Sequence, residues 1–173
     1  MDADLGRLFL DCSANRLEQF SGRIAACLAK LNSEQVWARG SENENAIGNL
    51  VLHLCGNVRQ WILSAVGGAP DARERDAEFS ARGSVPGAEL AVRLKATVEE
   101  ALAILRAFPS ARLAEGVVVQ GYSVTLLEAI YHVVEHFAQH TGQIVFATKQ
   151  LTGEDLGFYK HLSRPGPHPE KTP

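Results

Sequence analysis

Hydrophobic residues recur along most of the chain at steps of three and four, which places them on one face of an α-helix. The pattern predicts four long helices: one over roughly 3–31, one from Ile47 to Ala65, one that opens near Ser84 and closes before Pro109, and one that starts at Thr125. Thr125 and Glu128 have the spacing of a capping box at that start. Four amphipathic helices of this length predict an all-α protein, a four-helix bundle.

The segments between the helices differ in character. Residues 67–84 hold glycines and alternating charges, which predict an exposed crossover, so the expected fold is a bundle with one long crossover connection. Residues 109–122 contain three consecutive valines, which favour a short extended piece. The proline-rich end lacks the apolar residues of a core. We therefore predict one bundle domain over 1–162 and a disordered tail over 163–173.

Composition narrows the class of protein. The chain has 173 residues, of which 46% are hydrophobic, and this suits one domain with a full core. The formal net charge is −3 with both signs mixed, so we expect no nucleic-acid partner. No apolar run reaches the roughly 18–20 residues of a membrane span. The acidic N-terminus lacks the features of a signal peptide, and we predict a cytoplasmic protein.

The three cysteines are Cys12, Cys27 and Cys55, and no two of them have CxxC spacing. An odd, scattered set argues against a disulfide framework and against a cysteine zinc site. Each cysteine falls within a helical apolar pattern. We therefore predict buried thiols that act as small hydrophobic groups.

Three histidines four residues apart, His132, His136 and His140, lie along one side of the fourth predicted helix. Neutral imidazole is the commonest nitrogen ligand of divalent metals. A helix turns by about 100° per residue. If the buried stripe is centred on Phe137, then His140 and His136 lie at its edge and His132 lies further toward solvent.

The same arithmetic applies to the second helix, centred on Leu54. It places His53 and Asn57 at the rim of the bundle, whereas Cys55 lies roughly 200° around the helix from His53. On the fourth helix, Gln143 falls on the side of the two inner histidines. The simplest prediction is a site with one imidazole from the second helix and two from the fourth, and three histidines with an open position are typical of a reactive metal.

Other interpretations remain open. His132, Glu135 and His136 match the HxxEH pattern of inverted zinc proteases, but that pattern needs a further acidic ligand downstream and omits His140. A non-catalytic, dimerising bundle that holds a fully ligated metal is a second alternative. A plain helical interaction module without metal is a third, and the histidine spacing disfavours it. The sequence does not separate an enzyme from the non-catalytic bundle.

Two segments resemble the DinB-like superfamily, which includes damage-inducible DinB proteins and related bacillithiol- and mycothiol-dependent enzymes. Residues 48–61 (GNLVLHLCGNVRQW) resemble its second helix with a single metal histidine. Residues 136–146 (HFAQHTGQIVF) resemble its fourth helix, in which two histidines four apart precede Gly-Gln. Residues 75–79 (RDAEF) look like a crossover feature of one uncharacterised branch. The resemblance covers roughly residues 1–160.

This resemblance implies a four-helix bundle, often a homodimer, with a divalent ion on His53, His136 and His140. Zinc and nickel are the ions it favours. It further implies a metal-dependent enzyme that activates a low-molecular-weight thiol or water for attack on a small electrophile. Asn57 and Gln143 would orient ligands or substrate. His132 is additional to the motif. It is either a residue that supports the metal ligands or a surface residue, and we predict the surface residue.

Overall fold

The structure is a computed structural model that describes residues 4–83 and 85–163. Its helices in these residues are α1 Leu5–Leu28, α2 Ser33–Val36, α3 Ile47–Val58, α4 Arg75–Ser80, α5 Gly87–Ala107 and α6 Leu126–Thr152. The long helices α1, α3, α5 and α6 correspond to the four predicted ones. Short 3₁₀ turns follow at Ser110–Arg112 and Lys160–Ser163. Apart from Ser163, the predicted tail lies outside the described residues.

The second predicted helix continues past α3 as a π-helical segment, Arg59–Val66. Hydrophobic spacing predicts a helix here but does not reveal its wider turn. Over so few residues, the pattern does not distinguish the period of a π-helix from that of an α-helix. The segment ends at Gly67, as predicted, and Gly68 follows with a φ of 83°. Residues with side chains rarely adopt such a φ, so glycine suits this stop.

The long helices form an all-α bundle, as predicted. In the described residues, α1 packs mainly against α5 and α6, and α3 packs against the same two helices. Thus α1 and α3 occupy opposite corners, and the helices do not follow simple up-and-down order. The centre is filled by large side chains that are fully buried: Leu10, Leu17, Ile24, Leu54, Leu90, Ile130, Phe137 and Ile144. No helix in the described part of the chain has the length and apolar character to cross a membrane.

A β-hairpin precedes α6 and confirms the predicted extended piece. Strand β1, Gly116–Val119, pairs antiparallel with β2, Tyr122–Thr125. Gln120 and Gly121 form the turn with φ values of 51° and 79°, which suit a tight hairpin. Thr125 then caps α6: its side chain accepts from the Glu128 backbone amide, which confirms the predicted capping box.

Residues 67–83 are mostly exposed, as we predicted, but one charged pair among them is buried. Within this segment, α4 packs on α3, and the side chains of Arg73 and Glu78 are only 3% and 9% exposed. The two charges are buried because they pair with each other, with Arg73 Nε 2.8 Å from Glu78 Oε1. An alternating charge pattern does not show which of its members turn inward, so the prediction of an exposed link was wrong for this pair.

The cysteines are all free, in agreement with the predicted lack of a disulfide framework. Cys27 is buried and Cys55 is half-buried, but Cys12 is exposed. The prediction was wrong for Cys12 because the buried face of α1 passes through its neighbours Ser13 and Ala14.

Candidate metal centre

Three histidines from two helices meet at one seam of the bundle. His136 Nε2 on α6 lies 3.0 Å from His53 Nε2 on α3 and 3.0 Å from His140 Nε2. One nitrogen from each ring lies within 4.8 Å of the others, close enough to hold a metal ion. His53 is buried and the other two are half-buried. The predicted set is therefore brought together.

The rotation of each helix is set by its core residues. Phe137 on α6 and Leu54 on α3 are fully buried, and each is the chain neighbour of a site histidine. With those side chains in the core, His136 and His53 fall at the edge of the buried stripe, as predicted. His53 is deeper than the predicted rim because α4 covers it, and the Phe79 ring lies 4.7 Å from its own.

Two of the histidines have an oxygen acceptor behind them. His53 Nδ1 lies 2.9 Å from Glu78 Oε2, and His140 Nδ1 lies 2.6 Å from Gln143 Oε1. An ionised carboxylate and an amide oxygen only accept, so a hydrogen bond in either contact requires the proton on Nδ1. In a neutral ring, the Nε2 atom then has a lone pair directed at the cluster.

Glu78 is held by a buried arginine. Arg73 Nε donates to Glu78 Oε1 at 2.8 Å and Arg73 Nη2 donates to Oε2 at 2.9 Å. Burial favours the neutral acid, but hydrogen bonds from Arg73 and His53 outweigh it and keep the pKa of Glu78 below its usual range. Arg73 Nη2 also lies 3.0 Å from His53 Nδ1. A guanidinium N–H only donates, so this contact would need a bare Nδ1, whereas the Glu78 contact needs a proton there. The contacts of both groups to Glu78 Oε2 are shorter, at 2.9 Å, and favour the proton on Nδ1. Arg73 Nη1 donates to Gln60 Oε1 at 3.0 Å.

The environment keeps the central histidines neutral. Burial, followed by the nearby His140 and His53, lowers the pKa of His136 to about 3. Burial also lowers the pKa of His140, against the effect of its hydrogen bond with Gln143. Neutral imidazole is the form that binds metals.

The donor set fits a divalent ion. An imidazole nitrogen has one bonding direction in the ring plane, yet His136 Nε2 faces two nitrogens at 3.0 Å. If His136 Nε2 carries a proton, its N–H can point at only one of the two nitrogens and the other is left without a partner. If His136 Nε2 is bare, lone pairs oppose each other in both contacts. Tetrahedral zinc with Zn–N bonds of about 2.0–2.1 Å separates its ligand nitrogens by roughly 3.3 Å, similar to the spacing here. A cation would satisfy all three lone pairs.

His132 is not the surface residue we predicted. It is half-buried, and its ring lies 4.2 Å from the Trp61 ring and 5.5 Å from the His136 ring. Burial lowers the pKa of His132. The prediction was wrong because Trp61, on the π-helical segment, packs against this face of α6. His132 lies one helical turn before His136 but does not belong to the cluster formed by His53, His136 and His140.

Two other residues bear on the predictions. Asn57 is buried one turn after His53, and its Oδ1 has no hydrogen-bond partner among the described residues, so its role at the site stays a prediction. Cys55 faces away from the histidines, as predicted. Its thiol is hydrogen-bonded with the Thr97 side chain of α5, and burial raises the pKa of the thiol to about 11.

The alternative HxxEH site is not formed in the described structure. Glu135 is exposed, and the cluster contains His140 and His53 in place of His132. A general base at Glu135 would therefore be remote from the converging nitrogens.

Sequence reasoning missed the roles of Glu78 and Arg73 at the site. The available signal was the segment 75–79, which contains Glu78 and which resembles a crossover feature without any assigned role. A cleft of about 540 Å³ between α3, this link and α5 also reaches Arg73 and Glu78, but none of the three histidines lines it.

The fold and the site define a helical-bundle protein with a three-histidine cluster able to hold a metal ion. The chain belongs to the family described as "Protein of unknown function (DUF1572)", which matches residues 4–166. No curated protein matches it. The crystal structure titled "conserved protein of locus from Enterococcus faecalis" is similar, with a TM-score of 0.64 and 14% identity over 83% of this chain and 97% of that chain. At that identity, the similarity shows the fold.

Proposed function

We propose that the chain is a divalent-metal-dependent enzyme in which His53, His136 and His140 hold the ion. The observation that carries this proposal is the convergence of three Nε2 atoms at one point of the bundle. Two of those nitrogens have their lone pairs directed inward by oxygen acceptors on the opposite side of the ring. Such backing of metal-bound histidines is a general feature of metalloproteins.

The number of ligands favours a reactive site over a closed structural one. Among the side chains that the structure describes, no aspartate, glutamate or cysteine joins the three histidines. Closed zinc sites have four protein ligands, whereas catalytic sites have three and leave a position for an exogenous one. The half-exposed His136 and His140 give that position a route to solvent.

The proposed reaction is attack of a low-molecular-weight thiol or water on a small electrophile. A divalent ion supplies the acidity that makes thiolate or hydroxide available near neutral pH. The chain's own contribution is to align His53 and His140 through the Glu78 and Gln143 acceptors, and to keep His136 and His140 neutral through burial. Cys55, remote from the histidines and with a raised pKa, does not serve as a nucleophile here.

We also infer that the family is a branch of the DinB-like superfamily. The bundle, its long second connection and the three histidines support this assignment. Zinc or nickel as the ion, a thiol as co-substrate and a homodimer as the assembly belong to the same proposal, because they come from that resemblance. Light scattering of the purified protein tests the dimer.

Elemental analysis of the purified, untagged protein tests the metal site. We expect about one zinc or nickel ion per chain, and loss of that ion in His53→Ala and His136→Ala. His132→Ala is the matched control, because it removes a neighbouring histidine outside the cluster and is expected to retain the ion. A thiol and electrophile screen of the loaded protein then tests the reaction.

Two results would contradict these proposals. A wild-type protein that takes up neither zinc nor nickel on reconstitution would exclude the metal site. A protein that binds one ion but coordinates it with four protein ligands, as judged by X-ray absorption, would favour the non-catalytic bundle.

A further inference from the structure

We propose that Glu78, on the connection between the second and third long helices, is a positioning residue that directs the Nε2 lone pair of His53 into the metal site, and that Arg73 holds it there. This inference rests on the proposed function. Its geometric basis is the 2.9 Å contact between His53 Nδ1 and Glu78 Oε2. The link 67–84 thereby belongs to the site as well as to the fold.

The proton on His53 decides what the ring can bind. A neutral imidazole carries one proton, on Nδ1 or on Nε2, and only the bare nitrogen binds a metal. Donation from Nδ1 to the carboxylate selects the form whose Nε2 is bare. Because His53 Nε2 is the atom 3.0 Å from His136 Nε2, this form is the one the cluster needs.

Arg73 gives the carboxylate a single orientation. Its Nε and Nη2 bind the two oxygens of Glu78 separately, so the carboxylate plane is fixed by two parallel hydrogen bonds. Glu78 has a second partner besides Arg73. Its Oε2 atom also lies within hydrogen-bond distance of His53 Nδ1, which a salt bridge with Arg73 does not require. Arg73 is anchored in turn by Gln60 on the π-helical segment.

The arrangement is shielded and spans distant parts of the chain. The side chains of His53, Glu78 and Arg73 are 7%, 9% and 3% exposed. Water therefore competes weakly for the hydrogen bond from His53. Glu78 comes from α4 and His53 from α3, so packing of the link on α3 is what completes the site.

The test combines a metal-free and a metal-bound measurement. Long-range ¹H–¹⁵N correlation spectra of metal-free protein report the imidazole tautomer, with His53 assigned by His53→Gln. We expect the Nδ1–H form in wild type and loss of that preference in Glu78→Ala, which leaves no acceptor side chain at this position. Competition with a chromophoric chelator then measures zinc affinity. We expect Glu78→Ala to weaken it about 10- to 100-fold.

Glu74→Ala is the matched control, since it removes the same carboxylate from an exposed position four residues earlier in the same link. It is expected to change neither the tautomer nor the zinc affinity. A purely structural role of Glu78 would lower stability without altering the tautomer.

The inference is overturned if wild-type His53 carries its proton on Nε2, or if Glu78→Ala binds zinc as tightly as wild type. Should Glu78→Ala fail to fold, the paired variant Arg73→Ala with Glu78→Ala, which leaves neither charge buried alone, replaces it, and the wild-type spectrum still decides the tautomer. Failure of wild type to bind any metal would refute the proposed function, whereas the tautomer measurement separately reports on Glu78.

Discussion

Gly56 of α3 lies directly against the carboxylate of Glu78: a Cβ atom at position 56 would come within 1.8 Å of Glu78 Oε1 and 3.0 Å of Arg73 Nε. Glycine is the one amino acid without a Cβ atom, and it occupies the position where the buried Arg73–Glu78 ion pair approaches α3. Glycine is unfavourable inside a helix by about 1 kcal/mol relative to alanine. Its position here is explained by the close approach of α4.

Gly56→Ala is therefore expected to destabilise the protein despite alanine's better helix propensity. The new methyl group displaces the Glu78 carboxylate from Arg73 and His53. Disruption of a buried ion pair costs about 3–5 kcal/mol, against a gain of about 1 kcal/mol in propensity, for a net loss of about 2–4 kcal/mol. Urea denaturation of the metal-free protein measures this difference.

Gly22→Ala is the control for that substitution. Gly22 lies within α1 and is exposed, and a Cβ there would meet no atom within 4 Å. Alanine should stabilise the protein by up to about 1 kcal/mol at this position. If both variants gained stability, the packing of Glu78 on Gly56 would be refuted.

The contact between His140 Nδ1 and Gln143 Oε1 leads to a second prediction. Gln143→Ala removes the acceptor behind His140, so the ring loses its preferred tautomer and orientation. Zinc affinity should fall about 10-fold, with little change in stability because Gln143 is exposed. Gln139→Ala, an exposed position just before His140 on the same helix, should leave the affinity unchanged. If the two variants bound zinc equally tightly, Gln143 would have no role in the metal site.

The metal-free protein should lose stability as the pH falls. The pKa of His136 is lowered from 6.5 to about 3 in the folded state, so the unfolded chain takes up a proton first. The stability contributed by this group is complete above about pH 6.5 and declines from there down to about pH 3. The lowered pKa values of His132 and His140 act in the same direction.

Urea midpoints measured with a chelator at pH 7.5, 6.5 and 5.5 test this expectation. The midpoint should fall from pH 6.5 to 5.5 and change little between 7.5 and 6.5. Glu78, whose pKa is also lowered, adds a further loss only below its usual pKa of 4.5. His136→Gln should flatten the dependence between pH 6.5 and 5.5. An unchanged slope in that variant would show that His136 is not the buried neutral group described here.

Much of the architecture was predictable because it is encoded locally. Apolar residues repeated every three to four positions define the four long helices, and the Thr125 cap marks where α6 begins. The same periodicity places His136 and His140 on one edge of α6 and His53 on one edge of α3. Two helices with histidines at their edges need only pack side by side to bring those rings together.

By itself, the sequence determined the four long helices and the edge on which each of the three histidines lies, since helical spacing settles which residues share a face. The packing of α3 against α6 then brought those edges together. The tertiary structure decided the partners of those histidines. Glu78 is 25 residues from His53, and only the packing of α4 on α3 turns its charge inward. Likewise, His132 is covered only because Trp61 of a π-helical segment lies over it. Burial of these charged or polar side chains depends on a partner far along the chain. Local periodicity does not indicate which residue that partner is.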